Sequence, residues 1–342
     1  LLLDKGANIN AMAGDDTVYG APDSTALHAA AYKGQTNAAE ILIQRGADIA
    51  ATNGWGLTPV QVVLKQSPYP SREDMAEFLI SRGATVDVFT AACMSNTTRL
   101  ADILSKDPSQ AKARTPSGRT PLHFAAMCLC KESIDLLLAK EADVNAEDKN
   151  GNTPLQFALG FNLDVGQPVR SASNGNGLAV PFANDKAIRT LVQKLLEKGA
   201  KADLKESDLF LHLSPLTQVI RTRRLILYVT LQGGTLRDPS IPDELMEIAR
   251  LLLEKGANTS ILFTDKLSRA GTASIHSAVE SYDKEMVELL IKHGADVNTP
   301  RGPGGATPLK TIRSGYLKRP SEGYDRAQKE IIEILVQHGA KE

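Results

Sequence analysis

The side chains best suited to proton transfer in this sequence are histidines, and three of them share one place in a recurring segment. His28, His123 and His276 each follow a Thr or a Ser by two or three residues. An imidazole in such a position could bind a metal ion or act as a general base. Recurrence at one position of a repeated unit favours a structural role instead, because each unit has to be packed in the same way.

The three cysteines, Cys93, Cys128 and Cys130, are the other candidate metal ligands. Cys128 and Cys130 are two residues apart, so on a helix they point about 200° away from each other and cannot share one zinc ion on their own. Cys93 lies at the corresponding helix end one repeat earlier. So few cysteines cannot form a disulfide framework, which fits a reducing compartment. We therefore expect no metal site and predict buried free thiols.

Signatures of catalysis or cofactor binding are missing from the sequence. It contains no G-x-S-x-G, no H-E-x-x-H and no G-x-x-x-x-G-K-[ST]. Gly175 and Gly177 begin a segment that looks like a dinucleotide-binding loop, but it lacks the third glycine and the preceding strand of that motif. We predict that the protein is not an enzyme and that it uses no cofactor and no metal.

The charge of the chain is balanced, with 39 Lys and Arg residues against 40 Asp and Glu residues. A general nucleic-acid-binding protein would have a basic excess, so this class is disfavoured. The densest basic run, formed by Arg221, Arg223 and Arg224, could hold phosphate or an acidic partner segment, but such runs are more often solvated. No apolar stretch reaches the roughly 18 residues of a membrane span, and we expect none.

An amphipathic helix that ends at a glycine recurs along the chain and must position these side chains. Its core is an apolar pair followed three residues later by Gly, as in Leu290-Ile291 before Gly294. Another small or apolar residue, here Val287, lies three positions before the pair, which completes one helical stripe. The glycine supplies the left-handed conformation that ends the helix. The pattern predicts about nine copies of one capped helix.

A second motif precedes each of these helices and reads T-P-L-H-F-A-A from Thr120 in its fullest form. Thr is a favoured N-cap residue, Pro at the first helical position loses no hydrogen bond, and Ala permits close helix packing. A glycine such as Gly118 lies upstream of the Thr and marks the turn of a short finger. Finger, first helix, turn and capped second helix therefore form one unit.

The two motifs in register resemble the ankyrin repeat, which has a period of about 33 residues and the signature T-P-L-H-x-A. The resemblance covers essentially the whole chain as about nine units, the first truncated. It implies an all-α ankyrin-repeat solenoid of helix-turn-helix units with short β-hairpin fingers. It also implies that each motif histidine bridges the backbones of neighbouring hairpins. We expect a single ankyrin-repeat domain over residues 1–342.

Several copies carry insertions at the turn that joins their two helices, the largest around 162–186, 221–243 and 313–326. Because repeats stack in parallel, these turns line one edge and could mark a binding face. Insertions also collect where an exposed turn is easily lengthened, and both interpretations stay open. The apolar run from Leu225 to Leu231 is either a strand or an extension of the helix before it.

The fourth copy lacks a finger. Val86, which we align with the motif Thr, comes almost directly after the capping Gly83, whereas Thr58 follows Gly46 only after a full finger. The missing finger predicts a notch in the row of fingers, next to Trp55 on the preceding fingertip.

The resemblance implies a non-enzymatic scaffold that binds a partner protein through its concave face and its hairpin fingers. The family's surface positions are the fingertip and the two residues after the Ala-Ala pair. We further expect a monomer and a cytoplasmic location, with the partner's identity left open. The expected partner-binding residues are Tyr32, Lys33, Trp55, Lys65, Met94 and Met127.

Two other functions stay open at this point. The chain starts in the middle of a repeat at Leu1, which favours a regulatory or targeting region of a larger enzyme or effector. The other alternative is a binder of anionic lipid or nucleic acid through the basic run from Arg221 to Arg224.

Overall fold

The structure, a computed structural model, describes most of the chain as two compact units, 1–164 and 165–342. Apart from its truncated first repeat, each copy contributes two helices, numbered α1 and α2 in copy two through to α15 and α16 in copy nine. The described residues are 5–14, 22–65, 72–159, 169–170, 178–179, 185–203, 214–231, 240–260, 273–301, 305–314 and 322–341.

The first unit is built from short helices that alternate with turns. Its α-helices are α1 (Ala26–Tyr32), α2 (Thr36–Gln44), α3 (Pro59–Leu64), α4 (Arg72–Ser81), α5 (Val88–Ala92), α6 (Thr98–Lys106), α7 (Pro121–Met127), α8 (Lys131–Ala139) and α9 (Pro154–Ala158), with a 3₁₀ helix (Pro108–Lys112) after α6.

The second unit contains longer helices and one small strand pair. Its strands β1 (Val169–Arg170) and β2 (Leu178–Ala179) are antiparallel. Its helices are α10 (Asp185–Glu197), α11 (Pro215–Leu231), α12 (Ile241–Glu254), α13 (Ser274–Glu280), α14 (Lys284–Lys292), α15 (Pro308–Arg313) and α16 (Glu322–Gln337).

The first helices of the copies begin where the sequence motif predicts. Thr25, Thr58, Thr120 and Thr153 are the N-cap residues of α1, α3, α7 and α9, and each forms a capping box with the His or Gln three residues later. A capping box satisfies backbone donors that a helix end otherwise leaves open, so a helix of five to seven residues can begin at a defined place.

The core lies between helices of successive copies. Every residue of α7 is buried, because this helix packs against α5, α8 and α9. Ala125 and Ala126 let these neighbours approach closely, while Leu122 and Leu137 fill the space between them and have no exposed surface. The second helices bury one face only, as in α2, where Ala39 is the fully buried residue. The predicted all-α repeat architecture is confirmed.

Most second helices end at a residue in the left-handed conformation, as the recurring glycine predicts. The second helix of copy four, α6, is the exception, because its C-cap Asp107 has a φ of −143°. Gly46 and Gly83 have φ values of +86° and +102°. In copy five the same place is taken by Glu141, with a φ of 58°. A side chain with a Cβ is strained by about 1–2 kcal/mol in this conformation, so Glu141 reduces the stability of its repeat.

Copy four begins one residue later than the sequence alignment predicted. Asp87, and not Val86, is the N-cap of α5, and its carboxylate accepts a hydrogen bond from the backbone N–H of Thr90 at 2.7 Å. Asp has the oxygen acceptor that a cap needs and Val has none. As a consequence Cys93, and not Ala92, occupies the place that Ala126 has in copy five. The link from Gly83 to Asp87 is too short for a finger, as expected.

The apolar run of the second insertion is helical, so its interpretation as a strand is wrong. It forms the end of α11, where Ile226 is completely buried in the unit that α11 builds with α12 and α13. Residues 232–239 of this insertion lie outside the described residues, as do residues 315–321 of the last one. Of the insertion at 162–186, only β1, β2 and the start of α10 are described, so Gly175 and Gly177 lie outside them.

Among the described helices, none is both long enough and apolar enough to cross a membrane.

Candidate protein-binding surface

The fingers of copies three and six are tight turns, each organised by one polar side chain. Asn53 Oδ1 accepts hydrogen bonds from the backbone N–H groups of Trp55 and Leu57 at 3.0 and 3.1 Å. Asp148 binds the finger of copy six in the same way, through Asn150 and Asn152, both at 2.9 Å. Short Asn and Asp side chains are favoured here because they mimic a backbone turn. The fingertips are thereby held in defined conformations.

The motif histidines join each finger to the copy before it. The ring Nε2 of each of them lies within hydrogen-bonding distance of a carbonyl oxygen in the next finger, and the predicted bridging role is confirmed. The pairs are His28 with Leu57 at 3.0 Å, His123 with Asn152 at 2.9 Å and His276 with Ala306 at 3.1 Å.

These contacts also determine the protonation state of the histidine rings. The backbone N–H of Thr120 donates to His123 Nδ1 at 3.0 Å, so Nε2 carries the proton and donates to the Asn152 carbonyl. Burial lowers the pKa of His123 to about 4, against the raising effect of that carbonyl. Burial likewise lowers the pKa of His28 and of His276. The neutral imidazoles are structural donors, which leaves them unsuited to general base catalysis at the surface.

Copy eight differs at this place. The N-cap of α13 is Ala273, which has no hydroxyl group, so the Nδ1 of His276 has no hydrogen-bond partner among the described residues. His276 is nevertheless completely buried. The missing cap leaves one polar atom of the core unsatisfied, which costs stability.

Trp55 lies on the fingertip of copy three and is half-buried. Its backbone N–H is held by Asn53, and the ammonium group of Lys65 lies 3.5 Å from the centre of the indole ring. A cation over an indole face is attracted by the ring electrons. The ring is thus held in place by Lys65 from its own copy, while part of it stays open to solvent.

Arg119 connects this fingertip to copy five. Its guanidinium donates a hydrogen bond to the backbone carbonyl of Trp55, 64 residues away in the sequence. The same group pairs with the buried Asp148 at 3.6 Å and lies over the ring of Phe157, with 5.2 Å from Cζ to the ring centre. The notch predicted from the missing finger is therefore bridged by a side chain. The sequence analysis missed Arg119, because nothing near it in the sequence indicates a contact two copies away.

The other predicted partner-binding residues divide into two groups. Lys33 is exposed, and Tyr32 and Lys65 are half-buried, so their side chains border on solvent. Met94 and Met127 are buried, with exposed fractions of 8% and 5%, which does not fit the expectation of adaptable surface side chains. We call Tyr32, Lys33, Trp55 and Lys65 the Trp55 surface.

The prediction of free thiols is wrong for two of the three cysteines. Cys93 and Cys128 form a disulfide bond, with their Cα atoms 5.2 Å apart. Cys93 and Cys128 are the C-cap residues of α5 and α7, and these two helices pack against each other, so the two sulfur atoms come within bonding distance. Cys130 is free and buried, as predicted, and burial raises the pKa of its thiol to about 11. Among the described residues, no group of His, Cys, Asp and Glu side chains could hold a metal ion.

The basic run of α11 is largely used inside the second unit. Arg223 is buried and forms an ion pair with the buried Asp283, the N-cap residue of α14. Arg224 pairs with Glu280 at 2.8 Å. Only Arg221 of the three is exposed. Two guanidinium groups therefore already have carboxylate partners, which leaves little of the predicted phosphate-binding cluster.

Comparisons with known proteins agree with the repeat geometry. Models of ankyrin repeats match residues 27–80, 88–167 and 271–301. The human B-cell lymphoma 3 protein is 31% identical over 124 residues, which are 34% of this chain and 26% of that protein. The ankyrin repeat and SAM domain-containing protein 6 of Danio rerio is 30% identical over 130 residues, 36% of this chain and 18% of that protein.

Two further proteins are similar to this chain. The tyrosine-protein kinase HTK16 of Hydra vulgaris is 30% identical over 159 residues, 43% of this chain and 17% of that protein. The matched regions make up less than a third of these curated relatives. The solved ankyrin repeat domain of Bcl-3 aligns with 92% of this chain and 98% of its own at 20% identity and a TM-score of 0.41. The chain belongs to the ankyrin repeat family.

Proposed function

We propose that this chain is a non-enzymatic scaffold that binds a partner protein through the concave face and fingers of its first unit. The observation that carries the proposal is Trp55, which is partly exposed on a fingertip. Asn53 and Arg119 bind its backbone, and the ammonium group of Lys65 lies over its ring. Trp is the residue most enriched among side chains that dominate binding energy. A ring that is already fixed loses little conformational entropy when a partner covers it.

The remainder of the Trp55 surface suits the edge of such a contact. Lys33 and Tyr32 follow the buried end of α1 and border on solvent. Aromatic residues are enriched at protein interfaces, whereas Lys is more typical of their solvated rim. The site residues we propose are therefore Trp55 as the anchor, with Tyr32, Lys33 and Lys65 around it. Met94 and Met127 are buried, so they are not part of the surface we propose.

The test uses the complete chain and a covalent probe. A photoreactive benzophenone residue at position 33 should cross-link a partner that the same residue at position 41 does not, because Ile41 is exposed on α2, outside the proposed surface. Trp55→Ala should then weaken binding of that partner by at least about tenfold, with an unchanged melting temperature. Ile41→Ala is the matched control and should leave affinity within about threefold. Equal effects of the two substitutions would exclude this surface.

A second candidate function is the regulatory or targeting region of a larger enzyme or effector. It is favoured by the match to the Hydra vulgaris tyrosine-protein kinase, only 17% of which is covered. The experiment is to express the longest transcript that encodes this chain and to assay it with and without residues 1–342. A binding scaffold predicts no catalytic activity in either protein.

A binder of anionic lipid or nucleic acid is the weakest candidate, since Arg223 and Arg224 are ion-paired. This function would require an affinity for lipid or nucleic acid that falls steeply as the salt concentration rises. We further propose a monomer in the cytoplasm, and the low cysteine content favours a reducing compartment. Sedimentation and cell fractionation test these two points.

A further inference from the structure

All three cysteines of this chain come together at the contact between copies four and five. Cys93 at the end of α5 is bonded to Cys128 at the end of α7. The thiol of Cys130 lies 3.3 Å from the carbonyl oxygen of Cys93. Such a cluster places a covalent link between two repeats that otherwise touch only through side-chain packing and local hydrogen bonds.

This contact differs from the one between copies two and three because α5 has no histidine at the motif position. Between copies two and three, His28 reaches the carbonyl of Leu57 in the next finger. At the corresponding place in α5 stands Thr90, whose hydroxyl group instead accepts a hydrogen bond from Gln61 of copy three. A Thr side chain is too short to reach the next finger as His does. The disulfide therefore lies where the bridge to the next copy is missing.

The reduced cysteines also have contacts between the two copies. Cys93 Sγ lies 3.2 Å from the carbonyl oxygen of Phe124 in α7, close enough for the thiol to donate a hydrogen bond after reduction. The rings of Phe89 and Phe124 also meet across this contact, with their centres 5.3 Å apart. The oxidised and the reduced protein can therefore both keep copies four and five in contact, but the contact is more stable with the disulfide.

We propose that Cys93 and Cys128 are a redox-controlled link that sets the stability of the copy four and copy five contact. In a reducing compartment a disulfide of this kind is typically transient or redox-sensing. Oxidation would make the two copies one cooperative unit, and reduction would let α5 open locally without unfolding the rest. The proposal does not depend on the partner-binding surface proposed above.

The bond closes with a peroxide as the oxidant. One thiolate attacks a peroxide oxygen, the O–O bond breaks, and hydroxide leaves and is protonated, which forms a sulfenic acid and one water molecule. The second thiol then attacks the sulfenic sulfur, the S–S bond forms, and its proton leaves with the hydroxyl group as a second water molecule. A dithiol reverses the change by two successive exchanges and is itself oxidised to a disulfide.

Oxidation by peroxide and reduction by a dithiol both need local opening of the protein around these cysteines. The reason is that Cys93 and Cys128 have exposed fractions of only 2% and 4%. Cys130 provides an internal reference. Its thiol is buried in the same cluster but holds its proton tightly, since burial raises its pKa to about 11. A thiol that stays protonated does not attack a disulfide, so Cys130 should take no part in the exchange while its surroundings stay closed.

The test is hydrogen exchange on the complete chain, after treatment with hydrogen peroxide or with dithiothreitol. Peptide mapping without reductant should find Cys93 joined to Cys128 in the first sample and both alkylatable in the second. The amides of α5 and α7 should exchange at least about tenfold faster after reduction, as expected when a cross-link is lost. The amides of α13 in the second unit serve as the unaffected reference.

Two variants distinguish the effect of the disulfide on hydrogen exchange from the effect of side-chain packing. Cys128→Ala should abolish the difference between the oxidised and the reduced sample, whereas Cys130→Ala should keep it. If Cys128→Ala does not fold, the comparison of oxidised and reduced wild-type protein decides alone. Unchanged exchange on reduction, a bond to Cys130 instead, or a redox response that persists in Cys128→Ala would each overturn the proposal.

Discussion

The guanidinium of Arg119 donates a hydrogen bond to the backbone carbonyl of Trp55 across the position where copy four has no finger. This contact joins copies three and five directly, and Arg119 also neutralises the buried Asp148. One side chain thus links the fingertip of the Trp55 surface to the finger of copy six.

Arg119→Ala should destabilise the protein by about 3 kcal/mol, because it leaves the charge of Asp148 buried without its cation. Arg114→Ala is the control, as Arg114 is exposed and donates only to the carbonyls of Gly118 and Glu147. It should cost less than about 1 kcal/mol. Urea unfolding measures both, and an equal loss in the two variants would contradict the linking role of Arg119.

The pH dependence of stability should fall in the variant His123→Gln. The pKa of His123 is about 4 in the folded protein and near 6.5 in the unfolded chain, so only the unfolded chain gains this proton between those values. Stability is complete above pH 6.5 and is lost as the pH falls towards 4, by up to about 3 kcal/mol.

Gln is a suitable replacement because Gln61 and Gln156 stand at the same position in copies three and six and form the same capping box. Denaturation at several pH values should show a slope smaller by about 1.4 kcal/mol per pH unit in His123→Gln than in the wild type. An identical slope would mean that His123 is protonated in the fold.

Ala273→Ser should stabilise the second unit by about 1 kcal/mol, since it supplies the missing N-cap and a partner for His276 Nδ1. Ser214 already acts as such a cap in copy seven, where its hydroxyl group accepts a hydrogen bond from the backbone N–H of Thr217 at 3.2 Å. Ala278→Ser, in the interior of α13, adds a buried hydroxyl group that supplies no N-cap, and it should destabilise. Thermal melting compares the two, and a lower melting temperature for Ala273→Ser would show that the site has no room.

Glu141→Gly should raise stability by about 1 kcal/mol, because Glu141 has a φ of 58° at a helix end where other copies have Gly. The contact it loses is an exposed ion pair with Lys112, which contributes little. Lys140→Gly, one residue earlier and with a φ of −100°, is the control and should not stabilise. Urea midpoints that rise equally in both variants would exclude relief of strain.

Leu137→Ala should cost about 2–5 kcal/mol, since it removes a side chain without any exposed surface from between the helices of copy five. Ile41→Ala removes a similar volume at a site that is 54% exposed and should cost less than about 1 kcal/mol. The difference between the two free energies of unfolding measures how far the apolar pair, rather than general hydrophobicity, stabilises a repeat.

The parts of this protein that depend on neighbours within one repeat follow from the sequence. Thr120 caps α7 and His123 completes its capping box because both lie within one helical turn, and the same holds for the left-handed glycines at the ends of the second helices. The resemblance to a known repeat added the bridging role of the histidines. The helix positions, the burial of the first residue of most apolar pairs and the missing finger of copy four could all be predicted in this way.

Contacts between copies needed the tertiary structure. Cys93 and Cys128 lie at the ends of α5 and α7, and only the packed helices show that their sulfur atoms are close enough to bond. Arg223 was a member of a basic run in the sequence and is a buried ion-pair partner of Asp283 in the fold.

The sequence alone therefore determined the repeat, its capped helices and its stripe of core residues, because hydrogen bonds and periodicity within a turn or two are local. The tertiary structure decided which cysteines are bonded, which arginines remain exposed, and that Arg119 bridges the missing finger to Trp55. These depend on distances between residues 35 to 64 positions apart, which short-range patterns do not encode.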